Sequence, residues 1–178
     1  LSNFSDLDPL EAEPTVQLRW VSPGESLGSP DAVVIPGSKQ TLRDLTSLRR
    51  TGLDAELVDF AMQGGEVIGI CGGMQMMGES LLDPDGLEGE PHTDTPSGHA
   101  PGLALLPIRT VFGGDKALRQ RQSAALWPVQ MPPLRLEGFE LHRGLTEVCG
   151  DCTPLCADAG LGWIKHHNDQ AGAAAGTY

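Results

Sequence analysis

With 178 residues the chain is long enough for one domain with a sizeable core and short for two. Twelve Lys and Arg against 24 Asp and Glu leave a formal net charge of -12, a field that repels phosphate backbones and anionic lipid, so neither nucleic acid nor a membrane surface is expected as a partner. No apolar run approaches the roughly 20 residues of a membrane span, and the opening LSNFSDLDPL has neither the basic nor the apolar stretch of an export signal.

Residues 1–14 read as an extended, polar lead-in that ends in a proline. Val16, Leu18 and Trp20 alternate with polar residues and predict a strand. Asp31-Ala-Val-Val-Ile35, stopped by Pro36-Gly37, has the form of a buried parallel strand. Leu42, Leu45 and Leu48 recur at helical spacing after Thr41, with Gly52 as the stop. Asp54 is placed to cap a second helix bearing Leu57, Val58 and Ala61, closed by Gly64-Gly65. Val67–Ile70 predicts a second buried strand, and Gly72 to Leu82 a third helix. This order predicts an α/β fold, a mostly parallel sheet with helices on both faces.

Beyond Leu82 the signals weaken. Residues 83–102 read as loop, and the acidic group Asp83, Asp85, Glu88 and Glu90 as solvated, since its spacing is not that of a calcium loop. Arg109–Phe112, Val129–Met131 and Gly138–Leu141 predict short strands. Lys116–Ala125 fits either a helix or a polar excursion. Nothing marks a second domain within 15–178.

The chemistry centres on Gly69-Ile70-Cys71-Gly72-Gly73. A cysteine between an apolar strand and a helix has the form of a nucleophile elbow, in which small neighbours allow the tight turn. A helix starting at Gly72 aims free N–H groups and its positive end at the sulfur, favouring thiolate. The N–H of Gly72 supplies half of an oxyanion hole, and the Pro36-Gly37-Ser38-Lys39 loop is expected to supply the rest. The alternative is a buried cysteine among glycines that serve packing alone.

Other groups carry weaker signals. Cys149, Cys152 and Cys156, with His142 or His166 nearby, stand either as a zinc site or as free thiols, and the reading taken is no metal. Lys39 follows no Walker spacing, so no nucleotide site is expected in this part of the chain. Without an export signal, the cysteines predict a reduced, cytoplasmic setting.

GICGGMQMMG (69–78) closely resembles the G-I-C-G-G-Y-Q-M-L-G signature of the class I glutamine amidotransferases of cobalamin biosynthesis. DAVVIPGSKQTLRDL (31–45), GLALLPIRTVF (102–112) and EGFELHRG (137–144) are similar to further segments of that family, in the same order. The opening LSNFSDLDPL is similar to the segment that joins the synthetase and glutaminase parts in the cobyric acid synthase family. The resemblance implies a flavodoxin-like class I amidotransferase fold. It also implies that ammonia from glutamine passes to an N-terminal ATP-dependent synthetase domain, which amidates adenosylcobyrinic acid diamide, a corrinoid. Residues 1–14 then form the linker from that domain and 15–178 the amidotransferase domain. ATP and Mg belong to the synthetase, with no cofactor here.

Carried over by position, Cys71 is the nucleophile, Gly37, Ser38 and Gly72 line the oxyanion and substrate site, and Gln75 helps hold glutamine. Met74, Phe139 and Arg143 depart from the family pattern. The family's basic histidine follows a G-T-Y motif, here Gly176-Thr177-Tyr178. It is therefore expected just beyond Tyr178, in a chain that also lacks an initiator Met and reads as a fragment or a processed form. His142, His166 and His167 are the substitutes within the chain. Related amidotransferases of cobyrinic acid diamide or of a lipid precursor remain alternatives, as does a non-catalytic binding module.

Overall fold

The computed structural model describes residues 7–88, 98–114, 116–127, 132–158, 160–166 and 173–177. The apolar run after Asp31 forms β1 (Ala32–Ile35) and the run before the cysteine turn forms β2 (Glu66–Ile70). They pair in parallel, with Val33 opposite Val67 and Ile35 opposite Gly69. Parallel neighbours need a crossover rather than a hairpin. Here α2 (Thr41–Thr51) and α3 (Leu53–Met62) make it, burying Leu45 from the first and Leu53, Leu57 and Ala61 from the second.

Gly52 joins the two helices with φ 77°, its N–H bonding the carbonyl of Arg49 at 3.2 Å. Helix α3 therefore starts from Gly52, and Asp54 lies within its first turn rather than capping it. No atom lies within 4 Å of a Cβ added at Gly52, so Gly52→Ala probes backbone strain alone. The substitution is expected to destabilise by about 1 kcal/mol, lowering Tm by roughly 2–4 °C in a calorimetric scan. An unchanged Tm would mean the left-handed turn costs nothing.

The free edge of β2 takes β11 (Ala173–Thr177), also parallel, with Gly176 opposite Gly69 and Thr177 opposite Ile70. Antiparallel strands β10 (Gly162–His166) and β9 (Thr153–Pro154) extend the sheet to the order β1-β2-β11-β10-β9. The α/β expectation is met with a parallel trio that continues as antiparallel strands. A second sheet, ordered β4-β3-β5-β8, contains β3 (Ser80–Leu82), β4 (His99–Pro101), β5 (Ile108–Val111) and β8 (Leu145–Val148). Strands β6 (Ala117–Ala124) and β7 (Arg135–His142) pair only with each other. The core is mostly aliphatic and thioether, with Met74, Met76, Met77, Leu106 and Ile108 fully buried beside Phe112. Each such side chain contributes about 1.5–3 kcal/mol of burial. Among the described residues, no helix is long and apolar enough to cross a membrane.

Several local expectations give way to tertiary contacts. The lead-in holds a short helix, α1 (Asp8–Glu11), with Pro9 in its first turn and Leu7 buried beside it. Val16–Trp20 is not a strand; Val16 and Trp20 are exposed, and Arg19 instead donates to the carbonyls of Ser26 and Leu27. The predicted helix from Gly72 to Leu82 is only α4 (Gly72–Met76). Its last carbonyls are taken by a passing segment, the N–H groups of Leu103, Ala104 and Leu105 bonding Met76, Gly78 and Met77 at 2.8–2.9 Å. That satisfies the helix end and releases the chain into β3. Lys116–Ala125 is mostly strand β6, because β7 supplies a full-length partner from Ala117↔His142 to Ala124↔Arg135. Val129–Met131, Glu90 and His167 lie outside the described residues.

Candidate active site

Strand β2 ends at Ile70 and α4 begins at Gly72, so Cys71 alone turns the chain. It does so at φ 50°, ψ −113°, and among the described residues only Cys71 and Ala104 are non-glycine residues at positive φ. Such a conformation costs on the order of 1–3 kcal/mol and persists where the surroundings over-determine it. Close packing does that here. A Cβ on Gly73 would lie 2.0 Å from the carbonyl oxygen of Ile35, and one on Gly69 would lie 2.6 Å from the backbone of Met74. The glycines on either side of the cysteine press α4 against the ends of β1 and β2.

The loop after β1 reaches the same turn. A Cβ on Gly72 would stand 2.9 Å from the backbone nitrogen of Ser38 and 3.1 Å from Thr41 Oγ1. Ser38 Oγ donates to Asp44 Oδ2 at 2.6 Å and accepts the N–H of Gln40 at 3.0 Å, which ties the loop to α2. Gly37 is buried and Ser38 half-buried. The first-turn N–H groups of α4 have no acceptor within their own helix, as in any helix. Because α4 has five residues, its aligned dipoles add little, and these local N–H groups replace the long-helix field expected from the sequence.

The opposite wall is the end of β7. Cys71 Sγ donates to the carbonyl of Leu141 at 3.5 Å, and Gln75 Nε2 donates to the carbonyl of Arg143 at 3.2 Å. Gln75 is only 3% exposed. Ser38, next to Gly37, thus stands against Gly72 beside Cys71, and Gln75 lies one turn further along α4. The covering role of Leu141 and Arg143 was not foreseen; the EGFELHRG match was the signal that could have found it. His142 has oxygen partners at both ring nitrogens, Glu140 Oε1 at 2.7 Å from Nε2 and the Gly144 carbonyl at 3.1 Å from Nδ1. His166 is exposed at the end of β10.

The acidic segment before residue 89 is more structured than a solvated loop. Asp83 is buried and accepts the N–H groups of Leu87 and Glu88 at 2.8 Å each. Glu88 accepts the N–H of Thr41 at the start of α2. Burial pushes its carboxyl up, against the opposing pull of that hydrogen bond. The three later cysteines take separate environments: Cys149 is exposed near Glu79, Cys152 is half-buried and Cys156 is buried. Burial raises all three thiols. Among the described residues no cluster of three His, Cys, Asp or Glu is placed to hold a metal ion.

Comparison with known proteins bears on the whole length. Residues 1–178 match the CobB/CobQ-like glutamine amidotransferase domain. The chain is 62% identical, over its full length, to a cobyric acid synthase of Synechococcus sp. (strain WH7803), and covers 36% of that protein. It is 63% identical to a cobyric acid synthase of Synechococcus sp. (strain CC9311), covering 35% of it. It thus spans about a third of the length of these relatives. A crystal structure of a glutamine amidotransferase superposes with TM-score 0.64 over 97% of this chain and 80% of that one, at 13% identity, a likeness of fold. The full-length match and the strained cysteine between β2 and α4 lead to one conclusion: the chain belongs to the CobB/CobQ-like glutamine amidotransferase domain family.

Proposed function

We propose that this chain is the glutaminase domain of a cobyric acid synthase, releasing ammonia from glutamine for ATP-dependent amidation of adenosylcobyrinic acid diamide. The observation that carries it is the Cys71 turn, strained at φ 50° and flanked by Gly72 and the Gly37–Ser38 loop. The identity to cobyric acid synthases over the whole chain supports the pathway assignment.

In the proposed reaction, the sulfur of Cys71 adds to the side-chain amide carbon of glutamine. The amide oxygen becomes an oxyanion and is held by the N–H of Gly72 with N–H groups of the Gly37–Ser38 loop. The nitrogen leaves as ammonia after protonation, and water then splits the thioester to glutamate and the thiol. A proton carrier must reach Sγ. We assign that role to a histidine just beyond Tyr178. Strand β11 runs parallel to β2 with Thr177 opposite Ile70, the residue before Cys71. In this reading ATP and Mg serve the synthetase part, preceding residue 1 in a longer cytoplasmic protein.

The test uses the full-length protein. It should release glutamate from glutamine, and a diazoketone analogue of glutamine should alkylate Cys71 with loss of dinitrogen, leaving its mass less N2 on the peptide that contains Cys71. Background glutamate release, or labelling on Cys149, Cys152 or Cys156 instead, would overturn the proposal.

A further inference from the structure

We infer that Glu140 and His142 act as a positioning pair that fixes the backbone of residues 141–143 against Cys71 and Gln75. This deepens the glutaminase reading and rests on it for its meaning, though not for its geometry. The hairpin of β6 and β7 is anchored at its far end, where the N–H of Ala157 donates to the Ala124 carbonyl and the N–H of Leu126 to the Leu155 carbonyl at 2.9 Å each. Its site end runs through Gly144 into β8, which pairs with β5. Leu118 and Phe139 are 69% and 67% exposed on the hairpin, and a lone two-stranded ribbon is marginal in water. Its site end lies over the candidate nucleophile, and there the backbone of residues 141–143 is set locally.

The held groups are two carbonyls. Leu141 and Arg143 are two residues apart, and both carbonyls point at the cysteine turn, one accepting from Sγ and the other from Gln75 Nε2. Between and beside them, Glu140 and His142 share the face of the strand set by the same two-residue period. Their side chains are each only 10% exposed. His142 Nε2 stands 2.7 Å from Glu140 Oε1, and Nδ1 stands 3.1 Å from the Gly144 carbonyl. The ring therefore stands between a carboxylate and a backbone carbonyl. The ring then bridges the strand end to the turn that follows it.

The other oxygen of Glu140 is anchored in turn. Arg121 Nε donates to Glu140 Oε2 at 2.7 Å, and Arg121 Nη1 lies 3.3 Å from Asp158 Oδ2, in the segment between β9 and β10. The network therefore adds side-chain ties between the hairpin and the segment that leads into β10 of the five-stranded sheet. Burial alone would raise the Glu140 carboxyl, but the hydrogen bonds from His142 and Arg121 hold it below the usual carboxylate range. It stays an acceptor for both.

Two readouts on the full-length protein test the pair. The first is glutamine hydrolysis, with KM and kcat separated. The second is the rate at which iodoacetamide alkylates Cys71, followed on its own peptide by mass spectrometry. Glu140→Ala and His142→Ala should each lower kcat/KM by about 10- to 100-fold and raise Cys71 alkylation by roughly fivefold or more as the Leu141 contact loosens. The double variant should be no worse than the worse single one, because the two residues act as one unit. His142→Gln, which can still donate to Glu140, should recover part of the loss. Alkylation within about twofold of the parent in both single variants, or a double variant whose losses multiply, would overturn the pair. Should the alanine variants not fold, Glu140→Gln carries the test: it must raise alkylation, and an unchanged rate overturns the inference. A parent protein inactive on glutamine would refute the glutaminase reading while the alkylation rates still decide the pair.

Discussion

Cys71→Ala is expected to lower glutamine hydrolysis by at least about 10⁴-fold while leaving the fold in place, since losing a nucleophile removes the covalent path altogether. The substitution deletes one half-buried sulfur that donates a long bond to the Leu141 carbonyl. The φ of 50° is equally strained for alanine and for cysteine, so backbone strain does not change. Stability should therefore shift by no more than about 1 kcal/mol. Glutamate release measures the chemical loss, and a calorimetric scan checks the fold. Ammonium salt added to the full-length variant should still support amidation, because the proposed defect lies in making ammonia. Hydrolysis remaining above about 1% of the parent rate would show that another group performs the attack.

Gly73→Ala should damage both stability and activity. The new Cβ would fall 2.0 Å from the carbonyl oxygen of Ile35, 2.7 Å from its carbonyl carbon and 2.9 Å from the carbonyl oxygen of Pro36. These are backbone atoms at the end of a buried strand, so no side chain can rotate aside. Relief requires α4 to back away from β1, which costs about 3 kcal/mol or more. A loss of that size lowers Tm by roughly 6–12 °C. The same displacement draws Gly72 away from the Gly37–Ser38 loop, and a misplacement near 1 Å costs on the order of 10²-fold in rate. Gly138→Ala is the control, since nothing lies within 4 Å of its added Cβ; it should stay within about 0.5 kcal/mol of the parent. A Gly73→Ala protein with the parent's Tm and turnover would refute the close approach on which the site depends.

The fold was legible wherever local pattern and burial agree. The runs 32–35 and 67–70 are apolar, short and stopped by Pro or Cys, and each became part of a strand of the parallel trio. The leucine spacing after Thr41 and the stop at Gly52 became α2 with its left-handed end. Patterns without a partner misled. Val16, Leu18 and Trp20 alternate as a strand should, but no neighbouring edge pairs with them in the described structure. Residues 117–124 carry Arg, Gln and Ser and look helical or irregular alone, yet the facing β7 makes them a strand. Helix α4 stops early because carbonyls it would have kept are claimed by residues 103–105.

Cys71 and its flanking glycines were readable in one dimension because a tight strand-to-helix turn demands small residues within two positions of the nucleophile, and such demands are local. The joining of that turn to Gly37 and Ser38 was an expectation from motif order, and the parallel pairing of β1 with β2 places the two loops side by side. The wall at Leu141 and Arg143 was beyond reach of local reasoning. It is made by backbone carbonyls 70 and 68 residues away along the chain, and a carbonyl leaves no mark in residue identity. The folding of the β6–β7 hairpin onto the cysteine turn brings those carbonyls to the sulfur and the amide.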